Sequence, residues 1–190
     1  GTGFTSDIIE GIYYAVNSEI KVDAINLSLG GGQNSTAMQN AIRYATDRDV
    51  VVVMAAGNNG GSLPISPAIN AINNGLAVGA VNQDGNLTSF SNQAGTLLDY
   101  VTAPGDSITS AITGNRYATY SGTSMAAPFV SGVASLLSGY DSGLTAEQIE
   151  NLLTSTAGNS ISSNTSQNTN NYDGLTNTRS LITLETINNF

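Results

Sequence analysis

Ser124 stands where a hydroxyl could do chemistry. It follows small residues in Tyr120-Ser121-Gly122-Thr123-Ser124 and heads an apolar segment, Met125-Ala126-Ala127-Pro128-Phe129-Val130, that runs past Ser131-Gly132 to Leu137. A helix apolar on every side is expected to be buried in the middle of a domain. Proline is tolerated in a first turn, where its missing N–H costs nothing, so Pro128 places the helix start near Thr123 or Ser124. The Ser124 hydroxyl then sits at the N–H-rich end, where developing negative charge is stabilised. Taken alone, the string favours a simpler role, because Ser and Thr ahead of an apolar run are the usual N-caps. A catalytic hydroxyl also needs a neighbouring base. In a Ser-His-Asp system that base is imidazole, and this chain contains no His.

The elements that must position Ser124 read as alternating helices and strands. The 190 residues suffice for one domain with a real core. A helix is expected after Gly1-Thr2-Gly3-Phe4-Thr5-Ser6, capped by Ser6 or Asp7, with Ile8, Ile9, Ile12, Tyr13, Ala15 and Val16 on one face. A strand at Val22–Leu29 ends in Gly30-Gly31-Gly32. A second helix spans about Thr36–Arg48, with Met38, Ala41, Ile42 and Ala45 inward. Val50–Ala56 is a continuous apolar run, the pattern of a strand covered on both faces in a parallel sheet. Leu76–Val81 and Tyr100–Ala103 are further strands, and Tyr117–Tyr120 leads into the Ser124 helix. Thr145 is expected to cap a helix that buries Ile149, Leu152 and Leu153. Residues 158–173, rich in Asn, Ser and Thr, read as a surface loop, and Leu181, Ile182, Leu184 and Ile187 as a closing helix or strand. No repeat or second domain is visible. The fold class that follows is a three-layer α/β domain, its sheet mainly parallel, with helices on both faces.

Composition narrows the function. The net charge is −9 with no basic cluster, so nucleic acid is not an expected partner. Without Cys there is neither disulfide nor thiolate chemistry. No run of about eighteen apolar residues is present, so no membrane span is expected. No signal peptide is recognisable.

In parallel α/β sheets, functional loops gather beyond the carboxyl ends of strands. Asn26-Leu27-Ser28-Leu29-Gly30-Gly31 and Ala55-Ala56-Gly57-Asn58-Asn59-Gly60 both fall there, and each in isolation reads as ordinary turn chemistry. Together with Gly122-Thr123-Ser124-Met125-Ala126-Ala127-Pro128, however, they resemble the I-N-x-S-L-G-G, A-A-G-N and G-T-S-M-A-x-P segments of the subtilisin-like serine proteases. Leu76–Val81, Ser89-Phe90-Ser91-Asn92 and Ala103-Pro104-Gly105 are similar to that family's V-I-A-V-G-A, F-S-N-x-G and A-P-G segments, in the same order. The resemblance implies a subtilisin-like fold and serine endopeptidase activity on polypeptides through an acyl-enzyme. It makes Ser124 the nucleophile and the Asn58 amide the oxyanion-hole donor, with the Ser124 N–H as second donor. Such a donor is worth about 100- to 1000-fold in rate, a magnitude taken from a subtilisin's own asparagine. Ser28, Leu29 and Gly30 would pair with substrate as an extended strand, a mode in which backbone hydrogen bonds bind peptide whatever its side chains. Asn59 would lie at the rim of the specificity pocket, and with the loop 62–74 suggests a neutral one. Gly1-Thr2-Gly3 resembles the family's G-S-G substrate edge, through Gly1 and Gly3, and fits a frayed terminus equally.

The chain departs from the family at one end. The D-[ST]-G and H-G-T boxes precede everything present here, and Asp141-Ser142-Gly143 follows the nucleophile helix, where it reads as a turn. The expectation is therefore one incomplete catalytic domain over residues 1–190, its N-terminal strands missing. A separate N-terminal chain would supply Asp and His. The alternative is an inactive peptide-binding or structural fragment. The gap should expose strand edges and the underside of the Ser124 helix. The family's strongest calcium site draws on the missing region, so the resemblance implies calcium without placing it on residues here, and no cofactor or metal ligand is assigned. An extracellular or periplasmic setting is implied by the same resemblance.

Overall fold

The computed structural model describes residues 3–72, 74–96 and 99–158, with the backbone of Arg179–Ser180. Gly1, nearly all of the loop expected at 158–173 and the closing element expected at 181–187 lie outside the described residues. The elements run α1 (Thr5–Val16), β1 (Ala24–Leu27), α2 (Thr36–Thr46), β2 (Val51–Ala55), a 3-10 turn (Ala68–Asn70), β3 (Leu76–Val81), β4 (Tyr100–Pro104), β5 (Ile108–Ile112), β6 (Arg116–Tyr120), α3 (Thr123–Tyr140), α4 (Ala146–Thr156) and β7 (Arg179–Ser180).

Strands β1, β2, β3, β4 and β7 form one sheet in that order, every pair parallel. All five residues of β2 and all six of β3 are buried, as a strand covered on both faces requires. The period-2 alternation of strands divides their side chains between two cores. Val51, Val53 and Ala55 face Ala126, Ala127, Val130 and Ala134 of α3 and Ile149 and Leu153 of α4. Val52 and Met54 face the opposite layer, with Ile12 of α1 and Met38, Ala41, Ile42 and Ala45 of α2. Helices on both faces of a parallel sheet make the three-layer α/β arrangement that strand–helix alternation predicts.

Local chemistry sets most element ends. Ser35 caps α2 by accepting from the Met38 N–H at 3.2 Å. Thr145 caps α4 in a complete capping box with Gln148. The Gly143 N–H donates to the Asp141 carboxylate at 2.9 Å, so Asp141-Ser142-Gly143 is a turn after α3.

Four expectations are corrected. Neither Ser6 nor Asp7 caps α1; its N-cap is Phe4, without a side-chain bond, and the Ser6 hydroxyl donates to Asp7 instead. A two-stranded antiparallel sheet, β5–β6, precedes α3 where Tyr117–Tyr120 was read only as leading into the helix. Leu152 is half-buried, and Glu150 is the buried polar residue of α4. Pro128 lies beyond the first turn: α3 starts at Thr123, which makes Pro128 its sixth residue.

Helix α3 is also not covered all round. Ala126, Ala127, Val130 and Ala134 are buried, whereas Phe129, Leu136 and Tyr140 are 43, 63 and 72% exposed. Strand β1 forms an edge of the sheet as described.

Candidate functional site

The carboxyl ends of the neighbouring strands β1 and β2 and the start of α3 converge on Ser124. Two glycines permit the approach. The Gly122 N–H donates to the Gly105 carbonyl at 2.7 Å. A Cβ on Gly105 would lie 2.6 Å from the Ala80 Cβ, and one on Gly122 would lie 3.3 Å from Asn58 Nδ2.

Thr123 ties the helix to the loop after β2. It is fully buried; its hydroxyl accepts from the Gly57 N–H at 3.1 Å and donates to Asn58 Oδ1 at 3.0 Å, while its N–H donates to the same oxygen at 2.7 Å. A backbone N–H can only donate, so the Asn58 atom facing it has to be the oxygen. The Asn58 NH₂ consequently lies beside Gly122 at the helix N-terminus, with no acceptor among the described residues. In the first turn, the Thr123 and Met125 N–H groups are taken by Asn58 Oδ1 and the Gly122 carbonyl. The Ser124 N–H has no acceptor among the described residues. Two unspent donors and a half-buried hydroxyl thus share one corner.

Ser28 is joined to this corner by its side chain, which donates to the Ser124 carbonyl at 2.8 Å. Leu29 and Gly30 are exposed, and no backbone hydrogen bond joins them to other described residues, so their peptide groups are open to an added strand. The Gly31 N–H donates to Ser66 at 2.8 Å, which fastens the loop 62–66 behind this edge. Asn59 is exposed and held by its backbone N–H, which donates to Asn92 Oδ1 at 3.0 Å. Gly3 is exposed ahead of α1, with no described atom within 4 Å of where a Cβ would stand, and it is not joined to the Ser28 edge.

Asn92 is the residue whose importance sequence reasoning missed. It is 1% exposed. Its Oδ1 accepts from Asn59 and Gly61, and its Nδ2 donates to the Leu63 carbonyl at 2.9 Å. Its carbonyl accepts from the Tyr100 hydroxyl at 2.7 Å. Burial raises the Tyr100 pKa to about 12, so that hydroxyl stays a donor. One amide therefore shapes the loop that presents Asn58 and Asn59. The available signal was the Phe90-Ser91-Asn92 segment, matched to the family's F-S-N-x-G without a role for its asparagine.

Beside Ser124 opens a cavity of about 350 Å³, walled by Ile108 and Ser110 of β5 and Met125, Pro128 and Phe129 of α3. The Asp106 carboxylate accepts from the Ser121 hydroxyl at 2.7 Å. Among the described residues, no group of three or more Asp, Glu, His or Cys side chains could hold a metal ion.

A serine beside two donors at a helix start invites comparison with known proteins. The sequence model of the subtilase family, peptidase S8, matches residues 1–178. The chain belongs to that family. Among subtilases, the thermophilic serine proteinase of Bacillus sp. (strain AK1) is 53% identical over 137 residues, 72% of this chain and 33% of that protein. Alkaline elastase YaB of Bacillus sp. (strain YaB) is 42% identical over 159 residues, 84% of this chain and 40% of that protein. The crystal structure of a cold-adapted subtilisin-like serine proteinase superposes with a TM-score of 0.76 at 40% identity, over 86% of this chain and 59% of that one. The chain spans 33–40% of the length of these two curated relatives. Among the described residues, no helix of this subtilase is long and apolar enough to cross a membrane.

Proposed function

We propose that this chain is the nucleophile-bearing part of a subtilisin-like serine endopeptidase, one incomplete catalytic domain over residues 1–190, whose catalytic Asp and His come from a separate N-terminal chain. The observation that carries the proposal is the fixed orientation of Asn58. With its oxygen held by Thr123, its NH₂ and the Ser124 N–H are the two donors left beside the Ser124 hydroxyl.

In the proposed reaction, the partner's imidazole takes the Ser124 proton as Oγ attacks the peptide carbonyl carbon. Negative charge moves to the carbonyl oxygen, where Asn58 Nδ2–H and the Ser124 N–H stabilise it. The C–N bond breaks, the imidazolium protonates the leaving amine, and an acyl-Ser124 ester remains for water to hydrolyse. The backbone of Ser28, Leu29 and Gly30 pairs with the polypeptide. Asn59 and the loop 62–74 border an uncharged pocket, since the stretch from 57 to 74 holds no charged side chain. Gly1 and Gly3 belong to the opposite substrate edge only in the assembled protein.

Three features support a second chain. The chain has no His. The apolar side chains of Phe129, Leu136 and Tyr140 are exposed on α3, and β1 presents an unpaired edge among the described residues. The cavity beside Ser124 leaves room for an incoming base. An extracellular or periplasmic setting belongs to the same proposal.

Intact mass and a denaturing gel of native material, with fluorophosphonate labelling, test it. The expected result is a second polypeptide that co-purifies and label on Ser124 only in its presence. A folded, soluble 190-residue species on its own would refute the two-chain arrangement. An intact assembly with Ser124 unlabelled would favour an inactive peptide-binding fragment.

A further inference from the structure

Pro128 removes one hydrogen bond from α3 at a specific place. A helical N–H bonds to the carbonyl four residues earlier, and Pro has no N–H, so the carbonyl left without its helical partner is that of Ser124. The proline ring also crowds that carbonyl and tilts it outward. A half-buried carbonyl without a partner is costly. Here it has one: the Ser28 hydroxyl, 2.8 Å away and 96 residues distant in sequence.

The direction of this contact fixes a chain of bonds. The carbonyl can only accept, so Ser28 Oγ must spend its single proton on it. Ser28 Oγ then accepts from its other neighbour, Asn26 Nδ2, at 2.8 Å. With its NH₂ turned to Ser28, Asn26 presents Oδ1 to the Ser131 hydroxyl, which donates at 3.0 Å and shares its proton with the Ala127 carbonyl at 3.2 Å. Ser131 lies two turns beyond Ser124 on α3, so the relay leaves the helix, crosses the end of β1 and returns to the helix on either side of the proline.

We propose that Ser28 and Asn26 are positioning residues for Ser124: their side chains replace the helical bond that Pro128 deletes and hold the nucleophile's peptide against the end of β1. This role of the Ser28 side chain is separate from the substrate pairing proposed for its backbone. Its catalytic meaning rests on Ser124 being the nucleophile, whereas the bond replacement does not.

A double-mutant cycle with Ser28→Ala and Pro128→Ala, on the protein as purified, decides the bond replacement. In the natural background, Ser28→Ala should lower the folding equilibrium constant about 10-fold, because the Ser124 carbonyl loses its partner. In the Pro128→Ala background, the alanine restores an N–H to the helix and the loss should shrink to about twofold. Ser28→Thr should restore the natural value in either. Equal losses in the two backgrounds would overturn the proposal. A spectroscopic signature is also at hand, since Ser124-Met125 is the sole Ser-Met pair in the sequence. Labelling Ser carbonyls with ¹³C and Met nitrogens with ¹⁵N isolates the Ser124 carbonyl as a single correlation. It should move upfield in Ser28→Ala and recover in Ser28→Ala/Pro128→Ala; a signal unmoved by Ser28→Ala would overturn the proposal even where the stabilities fit. In the assembled protein, the rate of fluorophosphonate labelling at Ser124 should fall with Ser28→Ala and recover with Ser28→Thr, while a core control, Ile42→Val, should leave it unchanged. Failure of the natural protein to label while the cycle shows coupling would refute the nucleophile assignment and leave the bond replacement standing.

Discussion

Replacing Glu150 with Gln should change how stability depends on pH. Glu150 is 6% exposed on the inner face of α4, and its Oε1 has no hydrogen-bond partner among the described residues. Burial, followed by the charge of Asp99 and more weakly that of Glu147, raises its pKa from 4.5 to about 8, against a partial offset from the Gly75 backbone. Below its ordinary pKa of 4.5 the carboxyl is protonated whether the chain is folded or not, and its contribution is complete. Between 4.5 and about 8 the unfolded chain ionises while the folded chain keeps its proton, so stability falls by about 1.4 kcal/mol for each pH unit. Past that window the loss levels off, having reached about 5 kcal/mol. A glutamine amide has no proton to gain or lose in this range, so Glu150→Gln should be nearly flat over the same window. Urea unfolding of both proteins at pH of about 5, 7 and 9 measures the divergence. Parallel profiles would refute the reasoning, because they would mean that Glu150 titrates alike in the folded and unfolded chain.

Three further outcomes are expected. Asn58→Ala should lower turnover of the assembled protein by about 100- to 1000-fold, the range taken from a subtilisin's own asparagine, with KM little changed in steady-state kinetics on a peptide ester. Thr123→Val keeps the shape of a fully buried side chain but strands the Gly57 N–H, and should cost about 1–3 kcal/mol in urea unfolding. Thr145→Ala removes the capping box of α4 and should cost about 1 kcal/mol, with faster amide exchange in the first turn of that helix.

The sheet and its helices were legible in the sequence wherever one physical cause dominates. Val51–Ala55 and Leu76–Val81 are apolar throughout because helices cover both faces, and the inward positions of α2 follow from a 3.6-residue period alone. Ser124 and Asn58 could be singled out because short motifs carry them. What escaped depends on distant neighbours. The β5–β6 hairpin is mostly exposed on both faces, so its strands show no alternation to detect. Glu150 has the side chain of a solvent-facing helix position, and only its packing against the rest of the fold shows that it is buried. The partner of Ser28 became visible only once the structure placed β1 against α3. Reading Pro128 as a first-turn proline, whose missing N–H costs nothing, hid that the Ser124 carbonyl would need one.

The double attachment of Thr123 has a mechanical consequence. Because one residue binds Gly57 and Asn58 and also begins α3, the loop and the helix start are a rigid unit. A displacement of α3 carries the Asn58 amide and the Ser124 N–H with it, so their mutual geometry survives when something presses on the exposed face of the helix. Under the proposed two-chain arrangement, assembly would then act as a switch on proton transfer alone: the proposed cradle for negative charge would stand ready beforehand, and the arriving chain would deliver only the base.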